Sequence, residues 1–179
     1  MRSLVLAQLK SIDPATAVEA EQLDDAISWV ESGAPLCRVE KPATPRKHLV
    51  SYFPVVDGEY ILLVDHRNAM RWLPPGGHVE TGEDPRTTVV RELREELGLE
   101  ATVGEIPEPL MVSVTETVGH TSGHTDVSLW YTVRRSRSEP LCYDEGEFKS
   151  VRWFSFSEVP YERTDPNLER FIAKLRAEA

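Results

Sequence analysis

One stretch narrows the possible fold more than any other: Trp72 to Leu99, WLPPGGHVETGEDPRTTVVRELREELGL. It leaves a strand-like segment at Trp72 and Leu73, turns on Pro74, Pro75, Gly76 and Gly77, and enters a helix crowded with carboxylates. Asp84 is placed to cap that helix, Pro85 to occupy its first turn and Gly98 to end it. At about 100° per residue, Glu96 falls about 40° to one side of Glu92 and Glu95 about 60° to the other, so the three share one stripe. Val89, Val90, Leu93 and Leu97 form the neighbouring stripe, which must bury against another element. The carboxylates therefore emerge at the margin of a buried face. Like charges repel there, more strongly as they lose water, and a hard divalent cation with oxygen ligands removes that cost. Taken alone, E-x-x-E-E is more often a solvated face, with Arg91 and Arg94 pairing locally. The loop in front of it shifts the reading.

Alternating apolar residues predict strands on both sides of this helix. HLVSYFPVV and EYILLVDHR read as two strands joined at Asp57-Gly58, a hairpin signal. LMVSVTETV, DVSLWYTVRR and VRWFSF read as three more. Pro166 opens a final helix to about Arg176, with Leu168, Phe171, Ile172 and Leu175 on one face. Upstream, residues 3–12 suggest a short helix. Ala15 to Ser32 carries Ala20, Leu23, Ile27 and Val30 at helical spacing, with Pro14 in the first turn and Gly33 as the stop. A basic linker with Pro35, Pro42 and Pro45 follows. The expected organisation is an N-terminal helical extension and linker over residues 1–46, then a main domain over 47–179. The fold class is α/β (α+β), a mixed sheet with helices on both faces.

A net charge of -10 opposes binding to a nucleic acid polymer or an anionic membrane. It does not oppose a small anionic substrate, because bound cations invert the local field. Cys37 and Cys142 lack C-x-x-C spacing and fit idle thiols in a reducing cytoplasm. The apolar patch at the N-terminus breaks at Gln8 and Lys10, too early for a signal segment, and no run approaches a membrane span.

The segment Gly77, five residues, Glu83, seven residues, Arg91-Glu92-Leu93-x-Glu95-Glu96-x-Gly98-Leu99 resembles the Nudix box, G-x5-E-x7-R-E-U-x-E-E-x-G-U, with every fixed position filled. Pro74-Pro75-Gly76-Gly77 resembles the family's entry turn and Val151-Arg152-Trp153-Phe154 its late strand, so the likeness covers roughly residues 47 to 175. It implies an α/β/α sandwich and metal-dependent hydrolysis of a nucleoside diphosphate linked to another moiety, with Mg²⁺ or Mn²⁺ as cofactor. By the same likeness Glu95 and Glu96 are the principal metal ligands, and Glu92 is a ligand and the candidate base. Glu83 supports, Arg91 orients the glutamates, and the Gly77 carbonyl contributes.

Family members often recruit one more acid before the late strand. Glu147 is the choice here, ahead of Glu145 and Asp144. Arg67, Arg71, His78, His124 and Asp126 are candidate substrate contacts, with His120 in the same glycine-rich loop as His124. Each has a plainer reading as surface charge, loop packing or strand-edge polarity. Phe53, Trp72, Trp130 and Tyr131 are core aromatics first and base-stacking candidates second. The partner expected is a small-molecule nucleotide, bound by a monomer or homodimer. Two alternatives stand beside hydrolysis: a non-catalytic nucleotide-binding or regulatory module, and an isoprenoid-diphosphate isomerase needing a catalytic cysteine. The box does not distinguish a damaged dNTP, ADP-ribose, NADH, a dinucleoside polyphosphate or a sugar nucleotide.

Overall fold

The computed structural model describes residues 1–40, 44–117 and 123–178. In chain order the elements are α1 (Arg2–Ser11), α2 (Ala17–Glu31), β1 (Lys47–Tyr52), β2 (Val55–Asp57), β3 (Tyr60–His66), β4 (Arg71–Leu73) and β5 (Gly76–His78). Then come α3 (Pro85–Leu97), β6 (Met111–Glu116), β7 (Thr125–Trp130), β8 (Val133–Arg134), β9 (Phe148–Ser155) and α4 (Leu168–Ala177). One sheet has the order β5-β1-β7-β6; the other runs β4-β3-β2-β8, with β9 paired to β3.

Two of the expected long strands are each broken in two. HLVSYFPVV divides at Phe53-Pro54: Phe53 N–H donates to the Pro75 carbonyl (3.0 Å), and Pro54 has no N–H to continue a ladder. DVSLWYTVRR divides after Trp130, where Tyr131 N–H donates to the Tyr52 carbonyl (2.8 Å) and Val133 N–H to that of Pro54 (3.0 Å). The two segments cross together. β1 lies parallel to β7 in the first sheet and β2 parallel to β8 in the second. Apolar alternation continues through both breaks, so the pattern alone does not reveal the change of sheet.

Period-two side-chain alternation then divides the interior. Leu49, Val55, Leu62, Val64, Val112, Val127 and Leu129 pack with Val5 and Leu9 of α1, Leu23, Ala26 and Val30 of α2, and Val89, Leu93 and Leu97 of α3. Their sequence neighbours Val56, Ile61, Leu63, Met111 and Trp130 pack on the other side with Leu168, Phe171, Ile172 and Leu175 of α4. Helices therefore cover both faces, giving a mixed α/β/α arrangement. Trp130 satisfies its indole N–H on Ser113 Oγ (2.9 Å) and stacks on Phe171.

Polar tethers fix the first two helices to this body. Tyr131 donates its hydroxyl to Gln8 Oε1 (2.7 Å), and Gln8 Nε2 donates to Asp84 Oδ1 (3.2 Å) at the start of α3. Lys174 of α4 pairs with buried Glu19 of α2 (2.9 Å). Two helix starts lie later than expected. Thr16, not Pro14, leads into α2, its Oγ1 accepting from Glu19 N–H (3.2 Å) while Glu19 Oε2 accepts from Ala15 N–H (2.9 Å). Asp165 takes the Asn167 N–H (2.7 Å), so Pro166 lies in that turn and α4 begins at Leu168. Among the described residues, no helix is long and apolar enough to cross a membrane.

Candidate active site

The site is set by the rotation of α3. Asp84 Oδ1 accepts from Arg86 N–H (2.9 Å), and Gly98, at φ 66°, ends the helix in the left-handed region that glycine tolerates. Ser51 Oγ donates to the Pro85 carbonyl (2.8 Å) and pins the first turn to β1. Val89, Leu93 and Leu97 are fully buried, which turns Glu92 and Glu96 toward β5. Glu96 is only 4% exposed, and its Oε2 accepts from Gly76 N–H (3.2 Å). The Gly77 backbone lies against Glu92, and a Cβ there would collide with that carboxylate.

Arg91 organises the acids. It donates to Glu92 Oε1 (2.6 Å), to both oxygens of Glu83 (3.2 Å each), to the His78 carbonyl (3.2 Å) and, more loosely, to Glu95 Oε2 (3.4 Å). Glu83 also accepts from Thr88 Oγ1 (2.7 Å) and Glu80 N–H (3.0 Å). Burial opposes the Glu83 charge, but these donors outweigh it and hold the carboxyl below its ordinary range. Glu92 and Glu96 behave oppositely. Burial pushes Glu96 well above the ordinary range, and the charges of Glu92 and Glu147 push it further. Burial also raises Glu92, partly countered by Arg91, with Glu95 and Glu147 adding repulsion.

Gly76, Gly77, Arg91, Glu92, Glu96 and Glu147 line a cleft of about 450 Å³, which Glu83 does not reach. Glu147 reaches it from the loop before β9 and lies 3.3 Å from His66 Nε2. Asp144 folds onto its own loop, accepting from Gly146 N–H (2.7 Å), and Glu145 is exposed. Glu95 does not line the cleft; its side chain is 52% exposed and meets the Arg91 guanidinium from outside. The donor set fits a hard divalent cation: every ligand candidate is an oxygen, and the buried Glu96 charge lacks a cation at ion-pair distance among the described residues.

A second cavity of about 430 Å³ adjoins the cleft, the two sharing Arg38, His66, Gly76, Gly77, His78 and Glu96 as lining residues. Its volume is that of a small-molecule site. Arg71, His78, His124 and Asp126 all line it; Arg71 also donates to the Thr164 carbonyl (3.0 Å). Arg67 lines neither space, its Nε donating to the Glu145 carbonyl (3.0 Å). His120 lies outside the described residues. Phe53, Trp130 and Tyr131 are fully buried in the core, and Trp72 packs edge-on to Phe154. Neither cysteine lines these spaces; Cys37 is buried beside the Glu80 carbonyl and Cys142 is exposed. Sequence reasoning did not single out Arg38, Tyr52 or Asp165, which line the cavity, nor His48 behind it. His48 had a visible signal, a polar residue at an inward position of an alternating strand. Arg38 and Asp165 sit in irregular segments, where no period marks a direction.

A sequence model of the NUDIX domain matches residues 46–175. The chain belongs to the NUDIX family. It is 40% identical to the asymmetrical bis(5'-nucleosyl)-tetraphosphatase of Mus musculus over 57 residues, 32% of this chain and 39% of that protein. The chain thus spans well under half of that relative. With the 8-oxo-dGTP diphosphatase of Escherichia coli it shares 32% identity over 103 residues, 57% of this chain and 71% of the relative. A solved NUDIX-family hydrolase from Clostridium perfringens superposes with a TM-score of 0.55 at 23% identity, covering 74% of this chain and 98% of that one, which supports the fold.

Proposed function

We propose that this NUDIX chain is a pyrophosphohydrolase that cleaves a nucleoside diphosphate linked to a further phosphate or other moiety, with Mg²⁺ or Mn²⁺ held by Glu92, Glu96, Glu95, Glu147 and the Gly77 carbonyl. One observation carries the reading: the carboxylate cleft adjoins a cavity of small-molecule size, with Gly76, Gly77, His78 and Glu96 lining both. The relatives described above are named for nucleotide polyphosphate substrates, which agrees with it.

When bound, the divalent ion supplies charge for the phosphate oxygens and makes its water more acidic. The chain's own residues do the rest. Arg91 holds Glu92 through Oε1, leaving Oε2 to take a proton from the attacking water. Glu83 fixes the Arg91 fork from the far side, so the base keeps one orientation. Arg38 and Arg71 lie where a polyphosphate entering from the cavity would meet them. Tyr52, packed edge-on against Trp130, offers a firm ring to a base or sugar.

The test is a panel of dNTPs, nucleotide sugars, ADP-ribose and dinucleoside polyphosphates, assayed with Mg²⁺ and with Mn²⁺, reading phosphate release with and without a coupled phosphatase. Turnover of at least one member is expected, dependent on the metal. Glu96→Gln is expected to lower it by more than the roughly 10–100-fold typical of a residue that only orients a ligand. Binding without turnover across the whole panel, or unchanged turnover in Glu96→Gln, overturns the reading.

A further inference from the structure

The first sheet gathers a second cluster of potential ligands on the side away from α3. Ser51 of β1 points to α3, so its alternate neighbours His48 and Val50 face the other way. The ladder sets His48 opposite Asp126 on β7 and Val50 opposite His78 on β5. His124 precedes Asp126 by two residues and so lies on the same side. One ligand atom from each of His48, His78, His124 and Asp126 lies within 4.8 Å of all the others.

His48 Nε2, His78 Nε2, His124 Nδ1 and Asp126 Oδ1 are all buried and lack a hydrogen-bond partner among the described residues. A buried polar group left without a partner is costly, so His48 Nε2, His78 Nε2 and Asp126 Oδ1, unsatisfied in one place, call for a shared partner, and His124 presents Nε2 to the same place. His48 Nε2 and His124 Nε2 lie 3.4 and 3.3 Å from Asp126 Oδ1 without the alignment of a hydrogen bond. Those two separations are near the edge of a tetrahedron whose centre lies about 2.0–2.1 Å from each ligand, and the remaining ones lie within 4.8 Å, so binding draws the side chains slightly together. Behind the cluster, His48 Nδ1 meets the Pro45 carbonyl at 2.7 Å. That contact places the ring proton on Nδ1 and aims the Nε2 lone pair inward, the arrangement that orients metal-binding imidazoles.

We infer that His48, His78, His124 and Asp126 form a four-coordinate site for a borderline transition-metal ion, Zn²⁺ by preference, separate from the all-oxygen cleft of Glu92 and Glu96. Three imidazoles and one carboxylate suit zinc better than magnesium or manganese. Arg38 lines the same cavity and opposes a second cation; the Asp126 carboxylate offsets it. Four protein ligands leave no open position, so the ion acts as a clamp rather than a catalyst. It joins β5, which carries Gly77, to β1 and β7, and firms the cavity wall formed by His78, His124 and Asp126. The inference does not depend on the chain being a hydrolase.

The full chain, stripped with EDTA, is titrated with Co²⁺ and then with Zn²⁺, following the visible cobalt bands and the metal content. One equivalent of four-coordinate Co²⁺ is expected, displaced by one equivalent of Zn²⁺, retained in Glu96→Gln and lost in Asp126→Asn and His124→Asn. His78→Gln, at a position less buried than His48, keeps the test decisive if a buried-site variant fails to fold. A zinc anomalous peak among the four side chains in crystals of the wild type gives the location directly. The inference is overturned if the stripped wild type binds neither metal, if cobalt binds only in a pale six-coordinate form that Glu96→Gln abolishes, or if His78→Gln and His124→Asn bind zinc as the wild type does.

Discussion

Glu96 should cost the metal-free chain stability at neutral pH that it does not cost in acid. Its carboxylate is almost fully buried, accepts one backbone hydrogen bond and faces two further acids. Removing a carboxylate from water carries an effective penalty of several kcal/mol, of which one charge-assisted hydrogen bond returns about 1.5–3. A residue of about 1–3 kcal/mol is left uncompensated without a cation. Because the folded chain holds the Glu96 proton more tightly than the unfolded chain, the stabilisation is complete below the ordinary glutamate value of 4.5. It is lost as the pH rises through the elevated folded value. Glutamine keeps the Gly76 hydrogen bond and carries no charge. In EDTA at pH 8, Glu96→Gln should therefore melt about 2–12 °C above the wild type, taking about 2–4 °C per kcal/mol for a chain of this size. The gap should close near pH 4, and saturating Mg²⁺ or Mn²⁺ should reverse it by stabilising the wild type alone. The assay is differential scanning fluorimetry over pH 4–9, with and without metal. Equal melting temperatures in EDTA at pH 8, or equal metal-induced shifts for both proteins, refute the picture of a buried charge awaiting a cation.

Three further outcomes follow from single contacts. In Gly77→Ala the new Cβ collides with the Glu92 carboxylate, so the metal concentration for half-maximal turnover should rise at least about 10-fold; an unchanged metal titration counts against that backbone contact. Glu83→Gln weakens the two-pronged grip on Arg91 and should lower turnover by roughly 10–100-fold with little change in melting temperature, measured on the same substrate. Gln8→Ala leaves the buried Tyr131 hydroxyl without its acceptor at a cost of about 1–3 kcal/mol; a denaturant midpoint equal to that of the wild type would show that α1 is not tied to the core in this way.

The carboxylate-bearing helix was legible because two independent constraints agreed on one rotation. The apolar stripe of Val89, Leu93 and Leu97 fixes which side is buried, and the carboxylate spacing fixes what emerges at its edge. The exits were equally plain: Asp84 and Gly98 each do at the helix ends what their chemistry favours. Strand pairing was not legible in this way. Residues 48–56 and 125–134 keep their alternation through the point where each chain segment leaves one sheet for the other. Periodicity reports a side chain's face, and both halves keep a buried face. What makes the segments cross together is the parallel pairing of β1 with β7 and of β2 with β8, a contact between residues some 80 positions apart.

The same distinction explains the histidines. His78 and His124 were visible as polar residues near a glycine-rich turn, and Asp126 as a strand-edge acid, each with a plainer reading. Nothing local marks them as companions of His48. Only the register does so, because one strand carries His48 opposite Asp126 and, two residues on, Val50 opposite His78. A shift of either ladder by one residue would turn the displaced side chains to the α3 side and disperse the cluster. The orphaned nitrogens are thus a consequence of pairing, and a register so specific that it buries three imidazoles and a carboxylate together has a cost that an uncharged apolar face would not carry. A bound cation in their midst removes that cost, which is why the metal titration, more than any activity assay, decides what this half of the cavity is for.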